Sequence, residues 1–221
     1  MVYKRYIGTP VRKADCHVHF YDNYSPSVFL ETAKKNLETG GILFFTHRFG
    51  LAPDWKTVYP TFETISEGIG RVDGITFVSG YQIVTSEKIE ILNLASSTVI
   101  EDGLRAKDVL LKVDGVPVIP WSPGKWLGER GKIIKSLAND VYCGKILYKH
   151  FLADFKVFKG VLPGSDPLPR EGEERLVGRI GVVGDREINS LESARSFLKG
   201  AKSEFGSELT VAESVFRYLL W

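Results

Sequence analysis

Two histidines two residues apart, His17 and His19, lie in the apolar run Asp15-Cys16-His17-Val18-His19-Phe20 near the N-terminus. Along a β-strand successive side chains alternate faces, so His17 and His19 project side by side while Val18 and Phe20 turn the other way. Two convergent imidazoles begin a site for a divalent transition metal such as zinc, manganese or iron. Asp15 places an acid beside them. The plainer alternative is a strand with two partly exposed histidines. The chain holds only four histidines, His17, His19, His47 and His150, and finding two of them at this spacing favours the metal site.

The elements that must position this pair alternate between strand and helix. Lys13 to Phe20 reads as a strand. Ser25 caps a helix with Pro26 in its first turn, running to about Glu38 and closed by Gly40-Gly41. Ile42 to Thr46 has the profile of a strand buried on both faces. Trp55 to Gly68 reads as helix. Thr76 to Val84 and Lys88 to Ala95 read as strands around Thr85-Ser86-Glu87. Leu104 to Val113 and Glu129 to Leu137 read as helices, with a strand at Val116 to Trp121 between them. Lys145 to Leu152 fits strand or helix. Lys156 to Pro163 and Ile180 to Val183 read as strands. Asn189 or Ser190 caps a helix to about Phe205, and Thr210 with Glu213 forms a capping box for a last helix. This order predicts an α/β fold with a mainly parallel sheet, doubly wound or closed into a barrel. No G-x-G-x-x-G, P-loop or G-x-S-x-G motif is present.

In barrels of this kind the chemistry gathers at the C-terminal ends of the strands. There the sequence offers His17 and His19, then His47, then Asp166 in Gly164-Ser165-Asp166. These four make a plausible shell for one ion. The alternatives are a packing role for His47 and a turn role for Asp166. In Pro120-Trp121-Ser122-Pro123-Gly124-Lys125-Trp126, the two tryptophans either line a substrate pocket or staple a loop. Lys125 is a candidate anion contact or proton donor. Arg170 and Arg175, in the polar loop after Asp166, either clamp a phosphate or carboxylate or belong to a solvated loop. His150 sits among lysines with no evident acidic partner, and Cys16 reads as core filler.

At 221 residues, with 43% hydrophobic and 25% charged residues, the chain is sized for one soluble domain. A net charge of +2 with mixed signs gives no sequence-level reason to expect nucleic acid as partner. The expected partner is instead a small anionic substrate. Two cysteines, Cys16 and Cys143, make no disulfide framework, which points to a reducing cytoplasm. No signal-peptide pattern and no membrane-spanning run is expected. Oligomeric state is not legible.

His-x-His on the first strand, His47 ending the second and Gly-Ser-Asp late in the chain resemble the PHP (polymerase and histidinol phosphatase) family. The resemblance implies a single PHP-like domain over residues 1–221, built as a distorted (β/α)7-8 TIM-like barrel. It also implies a metal-dependent phosphoesterase acting through a metal-activated water. His17, His19, His47 and Asp166 fall on the family's ligand positions, with Asp166 also catalytic. The chain departs from the family at Gln82, where a metal-bridging glutamate is usual. It departs again at Trp121 and Ser122, where a histidine–proline step is usual, at Leu168 in place of a late histidine, and at Thr46 in place of an aspartate. The remaining His-His-His-Asp set more distantly resembles the mononuclear amidohydrolases. By this reading Asp166 and Lys125 carry catalysis, and Gln82, Trp121, Lys125, Trp126, Arg170 and Arg175 meet the substrate. The other reading is a catalytically degenerate domain that serves as a binding or scaffolding module.

Overall fold

A computed structural model describes residues 11–48, 50–121, 126–147, 155–210 and 213–214. The chain opens with β1 (Arg12–Val18), α1 (Pro26–Leu37) and β2 (Ile42–Phe45). A single turn, α2 (Trp55–Val58), leads to the meander β3 (Glu63–Ser66), β4 (Ile69–Val72) and β5 (Ile75–Val78). Next come β6 (Gly80–Val84), β7 (Glu90–Leu94), α3 (Ala106–Lys112), β8 (Val116–Pro120), α4 (Gly128–Leu137) and β9 (Tyr142–Gly144). The last described elements are β10 (Ile180–Gly184), α5 (Leu191–Lys199) and β11 (Ser203–Gly206).

The strands form two sheets. One has seven strands in the order β11-β10-β1-β2-β5-β4-β3, and the other has four in the order β6-β7-β8-β9. The expected TIM-like barrel is therefore not formed. A β/α barrel needs parallel neighbours joined by helical crossovers, whereas β1–β10, β4–β5, β6–β7 and β7–β8 all pair antiparallel. The predicted helix over Trp55 to Gly68 is the clearest local departure. Only its first turn is helical, and the rest enters the β3–β4 hairpin. Gly68 takes φ +68° in that turn, and Asp73 and Gly74 take +46° and +82° between β4 and β5. Two positive φ values in a row form the tight turn that Asp-Gly favours between antiparallel strands. The helix predicted to reach Phe205 stops at Lys199, and the residues beyond it return as edge strand β11. Lys156 to Pro163 begins as a 3-10 turn at Phe155–Val157.

The helices form where caps and apolar spacing agree. Ser25 Oγ accepts the Val28 N–H at the start of α1, and Ser190 and Ser193 form a reciprocal box at α5. β2 is covered on both faces. Ile42 and Phe44 pack with Phe197 and Leu198 of α5, while Leu43 and Phe45 pack with Phe29 and Leu37 of α1. The four-stranded sheet buries Ile83, Ile91 and Ile119 against Val109 of α3 and Ile134 and Leu137 of α4.

The chain crosses from one sheet to the other at Ser79. Gly80 is pressed from both sides there, and a Cβ would lie 2.7 Å from the Phe45 carbonyl oxygen and 2.8 Å from that of Asn93. After β9, the extended stretch 160–166 runs between β9 and β1. Leu162 N–H donates to the Cys143 carbonyl and Cys16 N–H to the Pro163 carbonyl. This stretch carries Asp166 to the first strand. No helix among the described residues is long and apolar enough to cross a membrane.

The β1–β10 pairing tolerates no side chain at Gly181, where a Cβ would lie 1.8 Å from the Ala14 carbonyl oxygen. Gly181→Ala should cost about 3 kcal/mol or more of unfolding free energy, through backbone displacement. Gly103→Ala meets no neighbour within 4 Å but forces an alanine to φ +89°, and should cost about 1–2 kcal/mol. Urea denaturation of both variants checks the order.

Candidate metal centre

His17 lies near the C-terminal end of β1 and His19 one residue beyond it. Their Nε2 atoms approach to 3.0 Å. Asp166 Oδ1 stands 3.5 Å from His17 Nε2 and 3.7 Å from His19 Nε2. One donor atom from each of the three lies within 4.8 Å of the others, and both histidines are buried. Donors spaced in this way can share one ion at about 2.0–2.2 Å each. The same-face reading of His17 and His19 therefore describes the geometry, and Cys16 points into the hydrophobic core on the other side.

The position of Asp166 is built by backbone. Its N–H donates to the His17 carbonyl at 2.8 Å, and its φ of +45° turns it into the left-handed region. Aspartate tolerates that region better than most residues. Two residues earlier, Gly164 allows the approach, since a Cβ there would sit 2.2 Å from His17 N.

Asp15 ties these segments together, a role beyond that of an acid beside the pair. Its carboxylate is fully buried. Oδ1 accepts from His17 N–H at 3.2 Å and Ser165 N–H at 2.9 Å. Oδ2 accepts from Ser165 Oγ at 2.5 Å and Gly178 N–H at 2.8 Å. Burial raises its pKa to about 6 against the opposing pull of these hydrogen bonds. The signal in the sequence was its i, i+2 spacing to His17, which puts it on the same face.

Burial also lowers the pKa of His19 to about 3, aided by His17, and that of His47 to about 4. Neutral imidazoles keep a lone pair for a metal. Two ring nitrogens, His17 Nδ1 and His47 Nε2, are buried without a hydrogen-bond partner among the described residues. Unsatisfied buried nitrogens of this kind mark a place where an ion or water completes the network. The donor set of His17, His19 and Asp166 fits a divalent ion.

The other predicted site residues are distributed more widely. His47 stands apart from the three-residue cluster. Its ring is 6.4 Å from that of His19 and stacks on Phe45 at 5.3 Å. Thr46 Oγ1 reaches to 3.5 Å from His19 Nε2. Gln82 is half-buried, and its N–H donates to the His47 carbonyl. Trp121 is buried in the core of the smaller sheet. Trp126 donates its indole N–H to the Pro120 carbonyl and packs on Phe158 at 5.2 Å. Arg170 is half-buried and Arg175 exposed in the loop after Asp166. Lys125 and His150 lie outside the described residues.

Solved structures share this fold. The crystal structure of the lesion-specific endonuclease PfuEndoQ from Pyrococcus furiosus matches with a TM-score of 0.62 at 15% identity, covering 95% of this chain and 66% of that one. Endonuclease Q in complex with a 27-mer duplex carrying an abasic lesion at the active site matches with a TM-score of 0.60 at 14% identity, covering 95% and 67%. PsfC from Pseudomonas syringae PB-5123 matches with a TM-score of 0.58 at 13% identity, covering 96% and 99%. No family model and no curated protein matches the chain in sequence. The likeness is one of fold, and the chain spans about two thirds of the length of the endonuclease Q structures.

One expectation is corrected here. A small anionic substrate to the exclusion of nucleic acid does not stand beside a fold neighbour that holds a DNA duplex. The exclusion rested on net charge, and net charge does not report the local field of a cleft.

Ser165→Ala removes one of two donors to Asp15 Oδ2. It should cost about 1.5–3 kcal/mol of stability and weaken zinc or manganese binding about 10–100-fold. Denaturation and metal titration of the same preparation measure the two effects.

Proposed function

We propose that the chain is a metal-dependent phosphoesterase that hydrolyses a phosphodiester of nucleic acid. The observation that carries this reading is the convergence of His17 Nε2, His19 Nε2 and Asp166 Oδ1. The fold shared with a DNA endonuclease supports the choice of substrate. His17, His19 and Asp166 would hold the ion. A divalent metal there supplies Lewis acidity to the phosphoryl oxygens and lowers the pKa of water.

The side chains do the rest. His19 stays neutral in its buried setting and so offers a nitrogen lone pair. The Asp166 side chain is 23% exposed, against 4% for His17 and 9% for His19. Asp166 is therefore the member that solvent and substrate reach first, and its carboxylate is assigned to orient and deprotonate the attacking water. Arg170 and Arg175 follow it in the chain and are assigned to the phosphates, where guanidinium groups bind in bidentate fashion. Lys125 is assigned to the leaving oxygen. Gln82 is assigned to the substrate through its position beside His47. The PHP-like reading of the fold fits the same assignments.

A second reading is a non-catalytic binding module. It is favoured by the three-member donor set and by Gln82, a neutral amide where the resemblance calls for a bridging carboxylate. Elemental analysis and hydrolysis assays separate the two. The phosphoesterase should hold a divalent metal and cleave bis(p-nitrophenyl) phosphate or an abasic-site duplex. EDTA should stop the reaction, and His19→Ala should lower kcat/KM by about 100-fold or more. A folded, metal-loaded protein that cleaves neither substrate is the binding module. A folded protein that takes up no divalent metal overturns the metal-dependent reading.

A further inference from the structure

A cavity of ≈ 200 Å³ opens beside the metal centre, and the proposed reaction makes no use of it. Among the described residues, six rings line it, from Phe45, His47, Trp55, Phe62, Phe77 and Tyr81. Two exposed lining residues, Ala52 on the loop before α2 and Thr64 on β3, mark its mouth. His47 is the wall shared with the metal centre, 6.4 Å ring to ring from His19.

Three properties define what would fit. The first is size. An apolar cavity of about 150 Å³ admits a benzene-sized guest, so this one takes a single ring or two fused rings and is too small for a folded segment. The second is shape. Phe45 tilts against Trp55 at 4.5 Å, and Phe77 meets Trp55 edge-on at 4.9 Å. The wall is thus a cluster of aromatic rings packed at several angles, a surface on which another aromatic ring can stack or meet an edge. Gly70 permits this arrangement, because a Cβ there would fall 1.9 Å from the Phe62 ring. The third is charge. Among the described residues no Asp, Glu, Lys or Arg lines the cavity, so a charged guest would lose its hydration without a partner from them.

We propose that this cavity is a binding site for a planar, uncharged aromatic ring system, seated one side chain away from the metal centre. A base of a nucleic-acid strand and a free heteroaromatic molecule share that chemistry, since every base presents a π-face for stacking. The proposal stands on the cavity and does not need the hydrolytic reading to hold.

Isothermal titration calorimetry on the whole protein tests it, with adenine and benzimidazole as flat probes and cyclohexylmethanol as an apolar, non-planar control. Both flat probes should bind saturably and the control should not. Thr64→Trp and Ala52→Phe should each block the mouth and weaken adenine binding about tenfold or more. Circular dichroism identifies which variant is folded, and either one suffices. A short single-stranded oligonucleotide that competes with adenine identifies a strand base as the guest, and failure to compete identifies a free small molecule. The proposal is overturned if neither flat probe binds, if cyclohexylmethanol binds as tightly, or if a folded mouth variant binds adenine unchanged.

Discussion

Burying a carboxylate costs several kcal/mol unless hydrogen bonds replace the water it loses, and Asp15 meets that demand with four donors from three parts of the chain. One donor is the β1 backbone at His17. Two belong to Ser165, next to Asp166. The fourth is Gly178, just before β10 in the chain. The replacement is incomplete, because burial outweighs the hydrogen bonds and raises the pKa to about 6. The arrangement is therefore worth more as geometry than as net stability. It fixes where the 160–166 stretch meets β1, and that register fixes the distance from Asp166 to both histidines. The glycine at 164 and the positive φ of Asp166 are consequences of the same close approach.

The first strand was legible because its information is local. Alternation alone puts His17 and His19 on one face; the approach of their Nε2 atoms to 3.0 Å is set by the ring orientations, which the spacing does not encode. The caps at Ser25 and Ser190 were legible for the same reason, since each is a short-range pairing of side chain with backbone. Asp166 was found as a residue type at a predicted strand end. Its contact with β1 is a pairing of residues about 150 apart in sequence, which no local pattern encodes. The sheet topology failed at Trp55 to Gly68, where apolar residues at loosely helical spacing outweighed the turn chemistry around them. Asp73-Gly74 carried the correct signal: two residues suited to positive φ between apolar runs announce an antiparallel hairpin.

That misread hairpin matters to the site. The stretch from α2 to β4 supplies Trp55, Phe62, Gly68 and Gly70 of the cavity wall, so reading most of it as helix hid the cavity altogether. It also bears on His47. At the end of a barrel strand a histidine reads as a ligand. In the observed fold it is packed among Phe45 and Trp55, with no hydrogen-bond partner for its Nε2 among the described residues. It forms the boundary between a polar centre and an aromatic one.

Charge balance connects the reduced donor set to the proposed chemistry. As ligands to an ion, two imidazoles contribute no charge and one carboxylate contributes a single negative charge. A divalent ion held by these three would keep a net charge of about +1, which a single phosphodiester anion neutralises. A further bridging carboxylate would cancel that remaining charge before substrate arrived and would call for a second ion. Gln82, whose backbone N–H donates to the His47 carbonyl, carries an uncharged side chain and would leave that balance intact. On this argument the replacement of an acid by an amide is compatible with catalysis, provided that one ion does the work. Under the proposed hydrolysis, the remaining positive charge would itself draw a phosphodiester anion to the metal site.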